Sequence, residues 1–216
     1  VRWQHKELGL LYPDKFIQLA EVGDTIHYLT QEVCRMALEQ QKKWYAAGYH
    51  LPVAVNLSAR NLIDDRCSDF IKDLYRSLDT QPGMMELELT ETALMQDPNL
   101  AIRLLNQLSE LGVKLSIDDF GTGYSSLSYL THMPIDALKI DSEFVSNMLD
   151  REQDSIIVRS TIALAHNLNL DVVAEGAEDE ATVSRLKAMG CDQVQGYHIG
   201  KPRPWSEIES WLRGRA

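Results

Sequence analysis

Apolar residues along the chain gather in six short runs: VAVNL (53–57), MELEL (85–89), KLSID (114–118), ALKID (137–141), DVVAE (171–175) and DQVQG (192–196). Each has the length and aliphatic character of a strand. Between them the spacing of apolar positions changes to that of helices, over 25–47, 65–78, 98–111, 155–168 and 180–189. In the last of these, Ala181, Val183, Leu186, Ala188 and Met189 form a helical stripe. Asp97 and Pro98 are a helix-start signal, and Gly112 follows a helix end. Strands alternating with helices predict parallel βαβ units, hence an α/β fold. VRW at the start reads as the tail of a further strand. Six or seven runs approach the eight of a TIM-type (β/α)8 barrel. A doubly wound parallel sheet meets the same periodicity.

The ends of the runs are polar, and this pattern carries chemistry. Asn56 closes the first run; Glu88 lies near the end of the second, with Glu91 three residues on. Asp118 and Asp119 close the third, Lys139 and Asp141 the fourth, Glu175 the fifth and Gln195 the sixth. In a parallel barrel the C-terminal strand ends share one face, where active sites sit. The set is one of hard oxygens, which suits Mg²⁺ or Mn²⁺ better than Zn²⁺. Carboxylates gathered without cations repel one another. A pair of divalent ions offsets that repulsion and stabilises both the attacking and the leaving oxygen of a phosphoryl transfer. The residues therefore point to metal-assisted hydrolysis of a phosphate ester.

Each of these residues also has a plainer reading. A single acid at a strand end is more often a helix cap, a turn or a surface ion pair. Glu91 meets the requirements of a cap after ELTE, Lys139 those of a partner to Asp141, and the two aspartates those of a turn before Gly121. The recurrence at one structural place favours the site. The loop GTGYSS resembles a phosphate-cradling GxGxxG, but Ser126 stands at the third glycine and the lysine of a P-loop is missing. DFG occurs without an HRD or VAIK segment, which speaks against a kinase. The loop reads as a movable arm that positions ligands.

Composition narrows the classes. The chain has 216 residues, 44% hydrophobic and 25% charged, enough for a sizeable core in one domain. A net charge of −11 argues against polymeric nucleic acid as a partner, which requires a basic footprint. Cys34, Cys67 and Cys191 are scattered without CxxC spacing, as in a reduced, cytoplasmic protein. No apolar run reaches transmembrane length, so no membrane contact by this segment is expected. The opening VRWQHKELGLLYPDKF reads as starting inside an element, which leaves room for elements and domains upstream.

The motifs DDFGTGYSSL, NLSAR, ELTE, LKID, VVAEG and QGY occur here in the order and spacing of the EAL family of bacterial cyclic di-GMP phosphodiesterases. The opening segment resembles the stretch that follows the Glu-Ala-Leu signature, and the resemblance runs from residue 1 to about 204. It implies a TIM-type barrel modified by one antiparallel strand. It implies hydrolysis of cyclic di-GMP to linear pGpG with two Mg²⁺ or Mn²⁺ ions, Ca²⁺ being inhibitory. By motif, Asn56, Glu88, Asp118 and Asp119 resemble metal ligands, with Asp118 bridging the two ions, and Glu175 resembles the general base or a metal ligand. Lys139 resembles the group at the nucleophilic water or a phosphate oxygen, with Asp141 beside it as a substrate-binding residue, and Gln195 a residue that orients water or supports the metal site. Arg2 resembles the arginine that grips the substrate phosphate, which suits guanidinium geometry. Glu91 resembles the tether of the loop after DDFG. The resemblance places the position of the signature Glu before Val1 and implies an N-terminally truncated domain, 1–216, of a larger signalling protein. A homodimer and an upstream sensor or diguanylate-cyclase-like domain are the partners it implies. A catalytically silent cyclic di-GMP receptor and a partner-docking module are the alternatives.

Overall fold

The computed structural model describes residues 1–63, 65–121 and 127–214. Its internal contacts divide the chain into two compact units, Val1–Ile117 with Ser125–Ile135, and Asp118–Tyr124 with Asp136–Ala216.

The first unit opens with β1 (Trp3–His5) and β2 (Gly9–Leu11), an antiparallel hairpin with Trp3 opposite Leu11. The segment read as the tail of a sheet strand is thus half of a hairpin. Its partner, only three residues long, is too short for periodicity to register. Two helices follow, α1 (Ile17–Glu21) and α2 (Thr25–Ala46). Then come β3 (Val53–Leu57), α3 (Arg66–Leu78), β4 (Met85–Thr90), α4 (Glu91–Met95) and α5 (Pro98–Ser109). The unit ends with the first four residues of β5 (Lys114–Phe120) and with α6 (Leu127–Leu130).

β3 and β4 pair in parallel, with Asn56 beside Glu88. Along β4 the alternation sends Met85, Leu87 and Leu89 into the core and Glu86 and Glu88 to the other face. Leu104, Leu105 and Leu108 of α5 and Ile71 of α3 are buried as well. Each such side chain contributes about 1.5–3 kcal/mol by leaving water. α5 starts where the sequence signals it: Asp97 caps it by accepting from the N–H of Leu100 at 3.1 Å, with Pro98 in the first turn. Gly112 follows α5 with φ +79°. An added Cβ there would lie 2.6 Å from Cβ of Pro82, so only glycine closes this turn.

The second unit takes the end of β5, then β6 (Ala137–Ile140), α7 (Ser142–Asn147), α8 (Glu152–Asn167), β7 (Asp171–Ala174), α9 (Glu180–Ala188), β8 (Gln193–Val194) and α10 (Trp205–Arg213). β6 pairs with β7 and β7 with β8, both in parallel. All four residues of β6 are buried, the continuous burial expected of a strand covered on both faces. The core is built from Leu138, Ile140, Val172 and Ala174 with Val158, Ile162 and Ala165 of α8.

In the six-stranded sheet the neighbours run in chain order, β3 through β8. A doubly wound sheet would reverse direction at a switch point. Chain order with intervening helices is the TIM-type arrangement, which separates the two folds that periodicity left open. Among the described residues no helix is long and apolar enough to cross a membrane.

Candidate active site

The residues singled out by the strand-end pattern fall into two groups, one in each unit. In the first, register does the positioning. Asn56 and Glu88 are direct neighbours on β3 and β4, and Asn56 Nδ2 donates to Glu88 Oε2 at 2.8 Å. Glu88 is buried and Asn56 exposed. The pairing orients the amide so that its oxygen is turned to other use. The chain just beyond Asn56 is firmly tied. Ser58 and Asn61 form a reciprocal capping box, and the Asn61 oxygen accepts from the Ser58 N–H and from Thr30 Oγ1, each at 3.1 Å. Ser58 Oγ donates to Glu21 at 2.6 Å. Sequence reading passed over this support because its members come from three distant segments; the signal was the Ser-x-x-Asn spacing after Asn56.

Glu91 is the first residue of α4 and only 4% exposed. The cap is Thr90, whose side chain accepts from the N–H of Ala93, so the plain reading of Glu91 as the cap does not hold. The loop it was expected to tether falls on residues 122–126, outside the described residues. Arg2 is exposed; its guanidinium donates to the Val1 carbonyl at 2.7 Å and lies over the ring of Tyr12.

The second unit holds the denser cluster. Lys139, only 3% exposed in the middle of β6, places Nζ 3.3 Å from Asp118 Oδ1 and 2.5 Å from Glu175 Oε1. Lys139 is therefore no lysine paired with Asp141 and nothing else: it bridges two strand-end acids. Asp118 Oδ1 also accepts from the N–H of Asp119 at 3.1 Å. Asp119 adopts φ +54°, a left-handed conformation that a short polar side chain tolerates at some cost. Its carboxyl is pushed up to about 6, first by burial, then by Asp118 and Asp141, a hydrogen bond with Asp141, and Glu175. Asp141 also caps α7 by accepting from the N–H of Glu143 at 2.6 Å, so its cap reading holds alongside its contact with Asp119.

Glu175 follows β7, and its N–H donates to the carbonyl of Ile140 at 3.1 Å. The next residue, Gly176, has φ +75°, and a Cβ there would meet Ser142 Cβ at 2.6 Å. Gln195 is exposed and held by its backbone, donating to Ala174 O at 2.8 Å and accepting from Ala177 N at 3.1 Å. His198 pairs with Glu180 at 3.0 Å and takes no part in the acid cluster.

Among the described residues no three His, Cys, Asp or Glu side chains close around one point as a ready-made metal cage. Asp118 and Glu175 of the second unit lean on Lys139 instead. Their chemistry nevertheless fits a divalent cation. The donors are carboxylates with an amide oxygen, and one aspartate, Asp119, is held above the ordinary range first by burial and then by the acids around it. A hard cation relieves that crowding of acids.

A TIM-type α/β domain with carboxylates at its strand ends is the class these observations define. The chain belongs to the EAL domain family, which matches residues 1–202. It is similar to the cyclic di-GMP phosphodiesterase NbdA of Pseudomonas aeruginosa, 43% identical over 214 residues that cover 99% of this chain and 27% of that protein. It is also similar to the cyclic di-GMP phosphodiesterase PdeR of Escherichia coli, 39% identical over 213 residues, covering 99% and 32%. The chain thus spans about a quarter to a third of the length of these curated relatives. Among solved structures it superposes on the PaMucR phosphodiesterase in complex with c-di-GMP with a TM-score of 0.92 and 38% identity, over 96% of this chain and 84% of that one.

Proposed function

We propose that this domain hydrolyses cyclic di-GMP to linear pGpG with two divalent ions, Mg²⁺ or Mn²⁺. The observation that carries the reading is the buried Lys139 set between Asp118 and Glu175, with Asp119 held above its ordinary range beside them. The likeness to relatives named as cyclic di-GMP phosphodiesterases, and to one solved with c-di-GMP, supports the choice of substrate.

In this reading Asn56, Glu88, Asp118, Asp119 and Glu175 would hold the ions. The bound ions would polarise a phosphate oxygen and bring the pKa of water towards neutrality. Arg2 grips a phosphate of the substrate by its planar fork of donors. Gln195 orients the attacking water and Glu175 takes its proton. The water oxygen bonds to phosphorus as the bond from phosphorus to the 3′-oxygen breaks, and that oxygen leaves and takes up a proton from solvent. Lys139 donates to the phosphate oxygen on which charge develops, an interaction strongest in the transition state. Asp141 keeps Asp119 in place, and Glu91 tethers the loop after DDFG. We place the domain in the cytoplasm, as one part of a larger signalling protein that works as a homodimer beneath a sensor or diguanylate-cyclase-like domain.

Chromatographic assay for pGpG in Mn²⁺, on wild type and on Asp118→Asn and Glu175→Gln, tests the reading. Wild-type turnover that both substitutions abolish supports it. Binding of cyclic di-GMP without hydrolysis selects a receptor, and no binding at all selects a docking module.

A further inference from the structure

The guanidinium of Arg2 is not left to wander in solvent. Its Cζ lies 4.7 Å from the centroid of the Tyr12 ring. The hairpin explains the contact. Trp3 stands opposite Leu11, Gln4 opposite Leu10 and His5 opposite Gly9. Carried one step outward, this register sets Arg2 opposite Tyr12. Alternation along the strands then puts both side chains on one face and Trp3 and His5 on the other. The turn is closed by His5, whose Nδ1 accepts from the N–H groups of Glu7 and Leu8, both at 3.1 Å. On its own face the His5 ring meets Trp3 edge-on at 5.0 Å, and Trp3 meets Phe16 in the same manner at 5.9 Å. One end of the hairpin is thereby closed and Trp3, itself 47% exposed, leans on Phe16, while Tyr12, 54% exposed, offers a ring to the arginine at the open end.

A long, charged side chain gives up rotamer freedom when it clamps a ligand. Holding it beforehand in the binding orientation removes part of that cost. An aromatic face suits a guanidinium because the plane stacks while the edge donors stay free for a phosphate.

We propose that the β1–β2 hairpin presents Arg2 to substrate, with Tyr12 and His5 as positioning residues that orient the guanidinium for the phosphate of cyclic di-GMP. This rests on the role given to Arg2 in the proposed function. Neither residue touches the reacting atoms. Tyr12 acts through its ring face. His5 acts through the lone pair that receives two turn N–H groups, so a side chain without an acceptor there frees the turn and loosens the register that brings Arg2 over Tyr12.

Tyr12→Leu keeps bulk and removes the ring. Loss of a cation–π contact at an exposed position raises KM about two- to fivefold, with kcat unchanged. Tyr12→Phe keeps the wild-type KM. In an Arg2→Gln background Tyr12→Leu adds nothing, because the residue it positions is gone. His5→Leu raises KM in the same way, and His5→Asn, whose carbonyl can accept in the turn, restores it. A full Tyr12→Leu effect in the Arg2→Gln background overturns the proposal, as does an effect on kcat in place of KM. If the wild-type domain does not bind cyclic di-GMP, the proposed function fails separately, and NMR judges the hairpin. The Arg2 Hδ protons are then expected to carry an upfield ring-current shift that disappears in Tyr12→Leu and His5→Leu; no such shift in the wild type overturns the positioning.

Discussion

Replacing Lys139 with Met removes the one positive charge shown between Asp118 and Glu175 and keeps most of the side chain's volume. The Nζ separations are 3.3 and 2.5 Å. At an effective dielectric of about 20 these correspond to gross attractions of about 5 and 7 kcal/mol. Desolvating a lysine that is 3% exposed cancels much of that. What remains is the cost of breaking a buried ion pair from one side, about 3–5 kcal/mol. The two acids keep some contact with solvent, so the lower end applies. For a domain of this size about 3 kcal/mol corresponds to a Tm lower by roughly 6–12 °C. The measurement is a thermal melt followed by circular dichroism, in EDTA and in Mn²⁺. Lys139→Met is expected to melt earlier than wild type in EDTA and to gain more from Mn²⁺, because the ion supplies the missing charge. Its turnover falls by about 10²–10³, the typical loss on removing one donor to developing charge. An unchanged Tm in EDTA, or a smaller gain from Mn²⁺ than the wild type shows, refutes the reasoning.

Three further outcomes are expected. Asp119 has a folded-state pKa of about 6 against an ordinary 3.8, so its charged form costs stability above that window and the cost is relieved as pH falls through it. Metal-free melts should therefore show a stabilising contribution on acidification that Asp119→Asn lacks, while Mn²⁺ affinity, read by calorimetry, weakens over the same window because protons compete for the ligand. Gly196→Ala would place a Cβ 2.1 Å from the carbonyl oxygen of Ala177; overpacking against backbone should cost at least about 3 kcal/mol and appear as a lower urea midpoint. Cys34 is fully buried and its thiol is pushed up to about 12, first by burial and then by Cys67. Mass spectrometry after iodoacetamide should find it unmodified in the folded protein and alkylated only in urea.

Much of the fold was legible because local patterning tracks local structure. The five helices expected from apolar spacing are present with ends shifted by a few residues, and the strands at 53–57, 85–89 and 114–118 begin where they were read. Short elements escaped. α1, α4 and α7 have five or six residues each, less than two turns, so no stripe can form. β2 has three residues and draws its stability from β1, not from its own composition. The polar strand ends were legible for a related reason. A strand whose alternate residues build a core turns its other residues to the opposite face, and Glu88, a buried acid between Leu87 and Leu89, shows the alternation.

What the sequence alone determined is therefore the α/β class, the order of its elements, and the hard-oxygen chemistry of the residues that end the strands. These follow from period, propensity and donor type, all properties of neighbouring residues. Which acid meets which cation was decided by tertiary structure alone. Lys139 lies two residues from Asp141 in the chain, yet its ammonium bridges Asp118 and Glu175, which lie 21 residues before it and 36 after it. The register of β6 against β7 and the course of β5 select those partners, while Asp141 turns to cap α7. The same holds for Tyr12, an unremarked aromatic until antiparallel pairing sets it beneath Arg2. Charge partners are chosen by distance in space. A linear chain records that distance only where strand pairing makes it so.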